Sequence, residues 1–160
     1  MAFWATVRWR QTMSELRIDS GAWVVVCNGA KALVLENAGS RMKPGLITKE
    51  VFEQTNPKDS ELGTDKPGRA MNSVGARRSA VEQVDRHEQA EQRFLAALAA
   101  RLNKAVLAGK TPSLIVVAPP RVIGILRQEF TTHVREAIRA EVEKDFVKLP
   151  VPEIERHLFQ

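Results

Sequence analysis

The chain has 160 residues, of which 44% are hydrophobic and 27% charged, and its formal charge is +5. That length supports one domain with a core that needs no staples, and the composition is that of a soluble globular protein rather than a disordered or fibrous one. The longest apolar runs, at residues 23–27 and 114–120, are too short to span a bilayer, and a single cysteine, Cys27, excludes a disulfide framework or a cysteine-based metal site.

Residues 1–12 mix Phe3, Trp4 and Trp9 with Arg8 and Arg10 and show no helical or strand period. They also lack the charged start, apolar stretch and small-residue cleavage site of a signal peptide, so the expected location is the cytoplasm. We read residues 1–20 as a flexible N-terminal extension and residues 21–160 as a single α/β domain. Met1 and Met13 both remain open as the native start.

The domain is organised around AWVVVCNGAKALVLE at residues 22–36. Two strand-forming runs, 23–26 and 32–35, flank Asn28-Gly29, a pair suited to a type I′ hairpin turn because both central residues must take positive φ. Both runs are apolar without alternation, as in strands covered on both faces. Cys27 is expected as a small core residue. A polar connection with breakers Gly39, Pro44 and Gly45 follows, then LITKEVFEQ at 46–54 as a third strand at a sheet edge.

Residues 55–79 are rich in Gly, Pro, Asn and Ser and read as a long irregular loop; such loops in compact domains are commonly functional or disordered. The clearest helix is expected over 80–108. Val84, Phe94, Leu95, Leu98, Leu102, Ala105 and Val106 form its apolar stripe, and Gly109 ends it. The charged first part, including Glu82, Asp85, Arg86, His87 and Glu88, is expected to project. SLIVVA at 113–118 reads as a buried parallel strand reached by a right-handed crossover. A short helix over 121–128, a Thr-capped helix over 133–138, an edge strand around 141–147 and a last helix opened by Pro152 complete a mixed α/β sheet with a hairpin and crossover helices.

WVVVCNGAKALVLE at 23–36, TDKPGR at 64–69, HEQAEQRFLAALAARL at 87–102, LIVVAPPRVIGILR at 114–127 and KDFVKLP at 144–150, in this order and spacing, resemble the bacterial host attachment protein family. That family is similar in turn to the middle domain of archaeal and eukaryotic class I peptide-chain release factors. The resemblance implies an RNase H-like, or translational-machinery-component-like, α/β fold. In the release factors a Gly-Gly-Gln loop precedes the long helix and reaches the peptidyl-transferase centre. The corresponding residues here are Val74-Gly75-Ala76-Arg77-Arg78-Ser79, which lack both the glycine pair and the glutamine. What the resemblance leaves is a basic loop in the same place.

No enzymatic constellation accompanies the fold. His87, His133 and His157 are scattered, without HExxH or GxSxG. Glu36, Glu141, Glu143 and Asp145 do not show the strand-end clustering that an RNase H-type Mg²⁺ site requires. Gly63, Gly68 and Gly75 lack the order of a nucleotide-binding loop. No cofactor or metal is expected. The candidate binding residues are cationic: Lys66, Arg69, Arg77 and Arg78 in the loop, with Lys110 and Arg121 flanking the parallel strand. Contacts of this type to phosphates give salt-sensitive, largely sequence-independent binding. The expected function is a non-enzymatic role in association with the ribosome or RNA, with any effect on attachment indirect. The alternatives are a protein-partner module using the face from Glu82 to Glu91, and a hydrolase or nuclease with an unrecognised site.

Overall fold

The computed structural model describes residues 16–54 and 73–159, with side chains of the first helix described from Ala80 onward. Five strands, β1 (Trp23–Cys27), β2 (Lys31–Asn37), β3 (Leu46–Glu53), β4 (Leu114–Val117) and β5 (Ile138–Val142), form one sheet in the order β3-β2-β1-β4-β5. β1 pairs antiparallel with β2 and parallel with β4; β2–β3 is antiparallel and β4–β5 parallel. Among the described residues four helices, α1 (Ser73–Leu107), α2 (Pro120–Glu129), α3 (Thr132–Ala137) and α4 (Val151–Phe159), supply the covering layers.

Alternation along the strands divides the core in two. Trp23, Val25, Cys27, Ala32, Val34, Leu114 and Val116 face one side, against Leu95, Leu98 and Leu102 of α1, Val122, Ile123 and Leu126 of α2, and Val134 of α3. Val24, Val26, Leu35, Ile115, Val117, Ala140 and Val142 face the other, covered by Phe146, Val147 and the α4 residues Ile154 and Leu158. Leu16 and Ile18, placed by the sequence in the N-terminal extension, are buried in this second layer. The unbroken apolar character of β1 and β4 follows from having helices on both faces: every residue of each strand is buried.

The hairpin forms, with Val25 opposite Val34, but its turn is not type I′. Neither Asn28 nor Gly29 has positive φ. The Asn28 N–H donates to the Lys31 carbonyl (2.9 Å), and the Asn28 Oδ1 accepts from the N–H groups of Ala30 and Lys31 (2.8 and 2.9 Å). Asn28 is therefore the first residue of the turn, where its side chain caps two backbone donors. The expected pattern had placed it one position later.

Three further boundaries move. α1 begins at Ser73, so Arg77 and Arg78 lie in a helix rather than in the long loop; residues 55–72 of that loop are outside the described part. The last strand is Ile138–Val142, not 141–147, and Ile138 belongs to it rather than to the preceding helix. Val84 is exposed and leaves the core stripe of α1 to the residues from Leu95 onward. The C-terminus of α1 is closed as expected: Gly109 (φ 74°) donates to Val106 O and Lys110 to Ala105 O, at 3.0 and 2.9 Å, the paired bonds of a Schellman motif. Cys27 is fully buried, and desolvation, with the nearby Asp145 carboxylate second, pushes its thiol up to about 12.

Candidate functional site

The cations singled out from the sequence do not form one cluster. Lys66 and Arg69 lie outside the described residues. Arg77 and Arg78 occupy the early turns of α1, a 35-residue helix about 52 Å long at 1.5 Å per residue. Residues 80–89 of this helix are all exposed, so its N-terminal part stands clear of the sheet.

Arg121 lies at the C-terminal end of β4, in the first turn of α2. Because β1 and β4 run parallel, this is also the end that carries the Asn28–Lys31 turn. There the Arg121 guanidinium forms an ion pair with Glu91 of α1. The Glu91 side chain lies so close over Gly29 that a Cβ at that position would collide with it. Arg121, Glu91 and Gly29 thus clamp the middle of α1 to the sheet, and the Arg121 charge is used inside the protein.

Lys110 lies at the opposite end, after the α1 C-terminus. It lines a groove of about 190 Å³ with Trp23, Glu50, Arg101 and Lys104. Arg101 is paired with Glu50 and sits 5.3 Å from the Phe52 ring centroid; the hydrogen bond that it donates to Glu50 raises the pKa of its guanidinium. From Arg77 to the end of α1 the distance along the axis is about 45 Å, so one small ligand cannot engage the helix tip and Lys110 together.

The carboxylates considered for a metal site are also dispersed. Glu141 is buried on β5 and accepts from Arg127 Nη2 (2.8 Å) and Nε (3.2 Å). The Arg127 carbonyl in turn accepts from Arg135 Nη2 at 2.6 Å, which ties α2, α3 and β5 together. Asp145 Oδ1 accepts from the Val147 N–H. Among the described residues no group of three or more His, Cys, Asp or Glu is placed to hold a metal ion, and no helix is long and apolar enough to cross a membrane.

Sequence reasoning missed a larger polar cavity, of about 380 Å³, lined by Leu16, Arg17, Ile18, Asp19, Arg41, Ser113 and Arg139. Asn37 builds its frame. This buried side chain donates through Nδ2 toward the carbonyls of Ile18, Asp19 and Ser40 (3.2–3.3 Å) and accepts at Oδ1 from the N–H groups of Gly39 and Gly45 (2.9 and 3.0 Å). It thereby holds the segment carrying Arg17 and Asp19 beside the loop carrying Arg41. The turn from Asp19 to Ala22, closed by a 3.0 Å bond, has Gly21 at φ 85°, the third-position geometry of a type II turn. No sequence spacing links positions 17, 41 and 139. The antiparallel β1–β2 pairing brings Arg41, and the parallel β1–β4–β5 pairing brings Arg139, to the end of the sheet where Arg17 precedes β1.

Residues 23–158 match the family described as "Protein required for attachment to host cells". The chain is also 36% identical over 50 residues to an uncharacterized protein of Rickettsia prowazekii (strain Madrid E), an overlap of 31% of this chain and 33% of that one. The chain thus spans about a third of the length of the curated relative it matches. The family match covers most of the chain, and the protein belongs to the family of proteins required for attachment to host cells.

Proposed function

We propose that this member of the host attachment family is a non-enzymatic cytoplasmic protein that associates with RNA, the ribosome being the expected surface, and that its effect on attachment is indirect. The observation that carries the reading is the shape of α1: its first turns hold the adjacent Arg77 and Arg78, and the exposed residues 80–89 separate them from the sheet. Paired arginines at the end of a projecting helix can reach phosphates on a large partner without unfolding the domain. The release-factor resemblance supports the same end of the helix, since there the functional loop precedes the long helix. The RNase H-like description of the fold belongs to this proposal too. Lys66 and Arg69 would add to the same electrostatic contact, while Arg121, paired with Glu91, would contribute little.

A second reading has its own observation. Val81 and Val84 are 63% and 57% exposed and lie three residues apart, on one face of the projecting segment. A protein partner seated on that face would cover them.

Sedimentation of a lysate through sucrose gradients at low and moderate salt separates the two. RNA association predicts co-migration with ribosomes that salt weakens and that the double variant Arg77→Ala/Arg78→Ala abolishes. With purified RNA, the same variant should lower the slope of log affinity against log salt by roughly 1–2. Protein at the top of the gradient in both salts would reject the RNA reading. Co-purification of one protein, lost on Val81→Asp/Val84→Asp, would establish the second.

A further inference from the structure

We propose that the cavity lined by Arg17, Arg41, Arg139, Asp19 and Ser113 binds a phosphate group, either free phosphate or that of a small phosphorylated molecule. This site is independent of the RNA reading and lies far from the α1 tip.

Among the described residues the lining carries three guanidinium side chains and one carboxylate, and the two guanidinium groups of Arg41 and Arg139 together match a phosphate dianion better than a monocarboxylate. Among the described residues neither Arg41 nor Arg139 has a carboxylate partner, in contrast to Arg101, Arg121, Arg127 and Arg156, which all form ion pairs. Two exposed arginines left in this way beside one concavity repel each other unless an anion lies between them. The planar guanidinium fork suits the oxygens of a phosphate, and the Ser113 hydroxyl adds a donor.

The position of Arg139 is a specific device. Leu114 pairs with Ile138 but Ile115 pairs with Ala140, so Arg139 is the extra residue of a β-bulge. In a regular strand Ile138 and Ala140 would point the same way. Here Ile138 packs against the α1 side of the sheet and Ala140 is buried on the other. The bulge reverses the strand's phase and releases Arg139 from the ladder into the cavity, as bulges beside binding sites commonly do. On the other wall the buried Asn37 network fixes the Arg41 loop against the segment of Arg17 and Asp19. Arg17 Nη1 donates to the Leu16 carbonyl at 2.9 Å, which limits its motion at the cavity edge. The volume of about 380 Å³ exceeds what a bare phosphate fills and admits an organic part against Leu16 and Ile18.

The test is calorimetric titration of the full chain with inorganic phosphate, with ionic strength held constant by chloride. Saturable binding is expected, weakened about tenfold or more by Arg41→Ala and by Arg139→Ala and unchanged by Lys110→Ala, which lies outside the cavity. Both arginines are exposed, so the variants should keep the wild-type circular dichroism. Arg139→Lys, which retains the charge and loses the fork, should fall between wild type and Arg139→Ala. A nucleoside 5′-monophosphate compared with its nucleoside distinguishes the sources: tighter binding than inorganic phosphate assigns the cavity to a phosphorylated small molecule, and equal or weaker binding assigns it to free phosphate. Absence of saturable phosphate binding, or equal affinity in wild type, Arg41→Ala and Arg139→Ala, would overturn the proposal. Neither result bears on ribosome co-migration, which reads Arg77 and Arg78.

Discussion

Residues 80–89 and residues 95–105 belong to one continuous helix, yet they meet opposite environments. The first ten are all exposed, whereas Leu95, Leu98, Ala99, Leu102 and Ala105 of the second are buried against the sheet. The apolar spacing that begins at Val84 and runs to Val106 reads as one stripe, but the sheet extends only far enough to cover its later part. The covered segment gains its stability from tertiary packing, while the projecting segment depends on helix propagation and pairs such as Glu82–Arg86, each worth a few tenths of a kcal/mol. A helix longer than the sheet it packs on becomes an anchor at one end and an arm at the other.

The sharpest test of that contrast lies in the anchor. Leu102→Ala should destabilise the domain by about 3–5 kcal/mol, because Leu102 is fully buried and the cavity left behind adds to the lost transfer energy. A urea unfolding midpoint close to that of wild type would mean that the anchor is not packed as described. Beneath the anchor, Cys27 contributes a pH dependence. Its thiol titrates at about 12 in the folded state, against an ordinary value of 9.0. Above about pH 9 the unfolded chain loses this proton and the folded chain keeps it. Stability should therefore fall as pH rises from about 9 to about 12 and show no contribution from this group below pH 9. Comparison of denaturation midpoints with a Cys27→Ala variant isolates the term, and native Cys27 should react with iodoacetamide only as fast as the protein opens.

Where the two halves of α1 meet, Gly29→Ala forces the Glu91 side chain away from Arg121 and should cost about 1–2 kcal/mol. The clamp predicts that most of that cost disappears in a Glu91→Ala background, a coupling that a double-mutant cycle measures directly. At the end of the anchor, Gly109→Ala places a Cβ at φ 74° and should cost about 1 kcal/mol. The smallest effect is expected in the arm: Val84→Ala should change stability by no more than about 0.5 kcal/mol. A loss comparable with that of Leu102→Ala would show that the arm is covered in solution and would favour a partner on the face of Val81 and Val84.

Much of the fold was legible because it depends on short-range patterns. The apolar runs at 23–27 and 114–117 could be read as strands covered on both faces, and Gly109 as a helix end, since each signal lies within a few residues. Errors arose where two local signals competed. The glycine and serine content of residues 73–79 suggested loop, but a helix nucleated by the packed turns beyond Leu95 propagates through them at small cost per residue. At Ile138 the bulge broke the alternation that would have marked the strand. The site was less legible still. Arg121 looked available because it follows a strand end, and only the approach of Glu91 over Gly29 shows that its charge is used.

From its residues alone, this chain determined an α/β domain, a buried hairpin joined by a crossover helix to a parallel strand, and a family resemblance, because alternation, helical period and turn chemistry are properties of neighbours in sequence. Tertiary structure decided which part of α1 is anchor and which is arm, which arginines are neutralised, and that Arg17, Arg41 and Arg139 share one cavity. Those outcomes depend on strand order and on a one-residue bulge, which set where distant side chains meet and leave no regular spacing in the sequence.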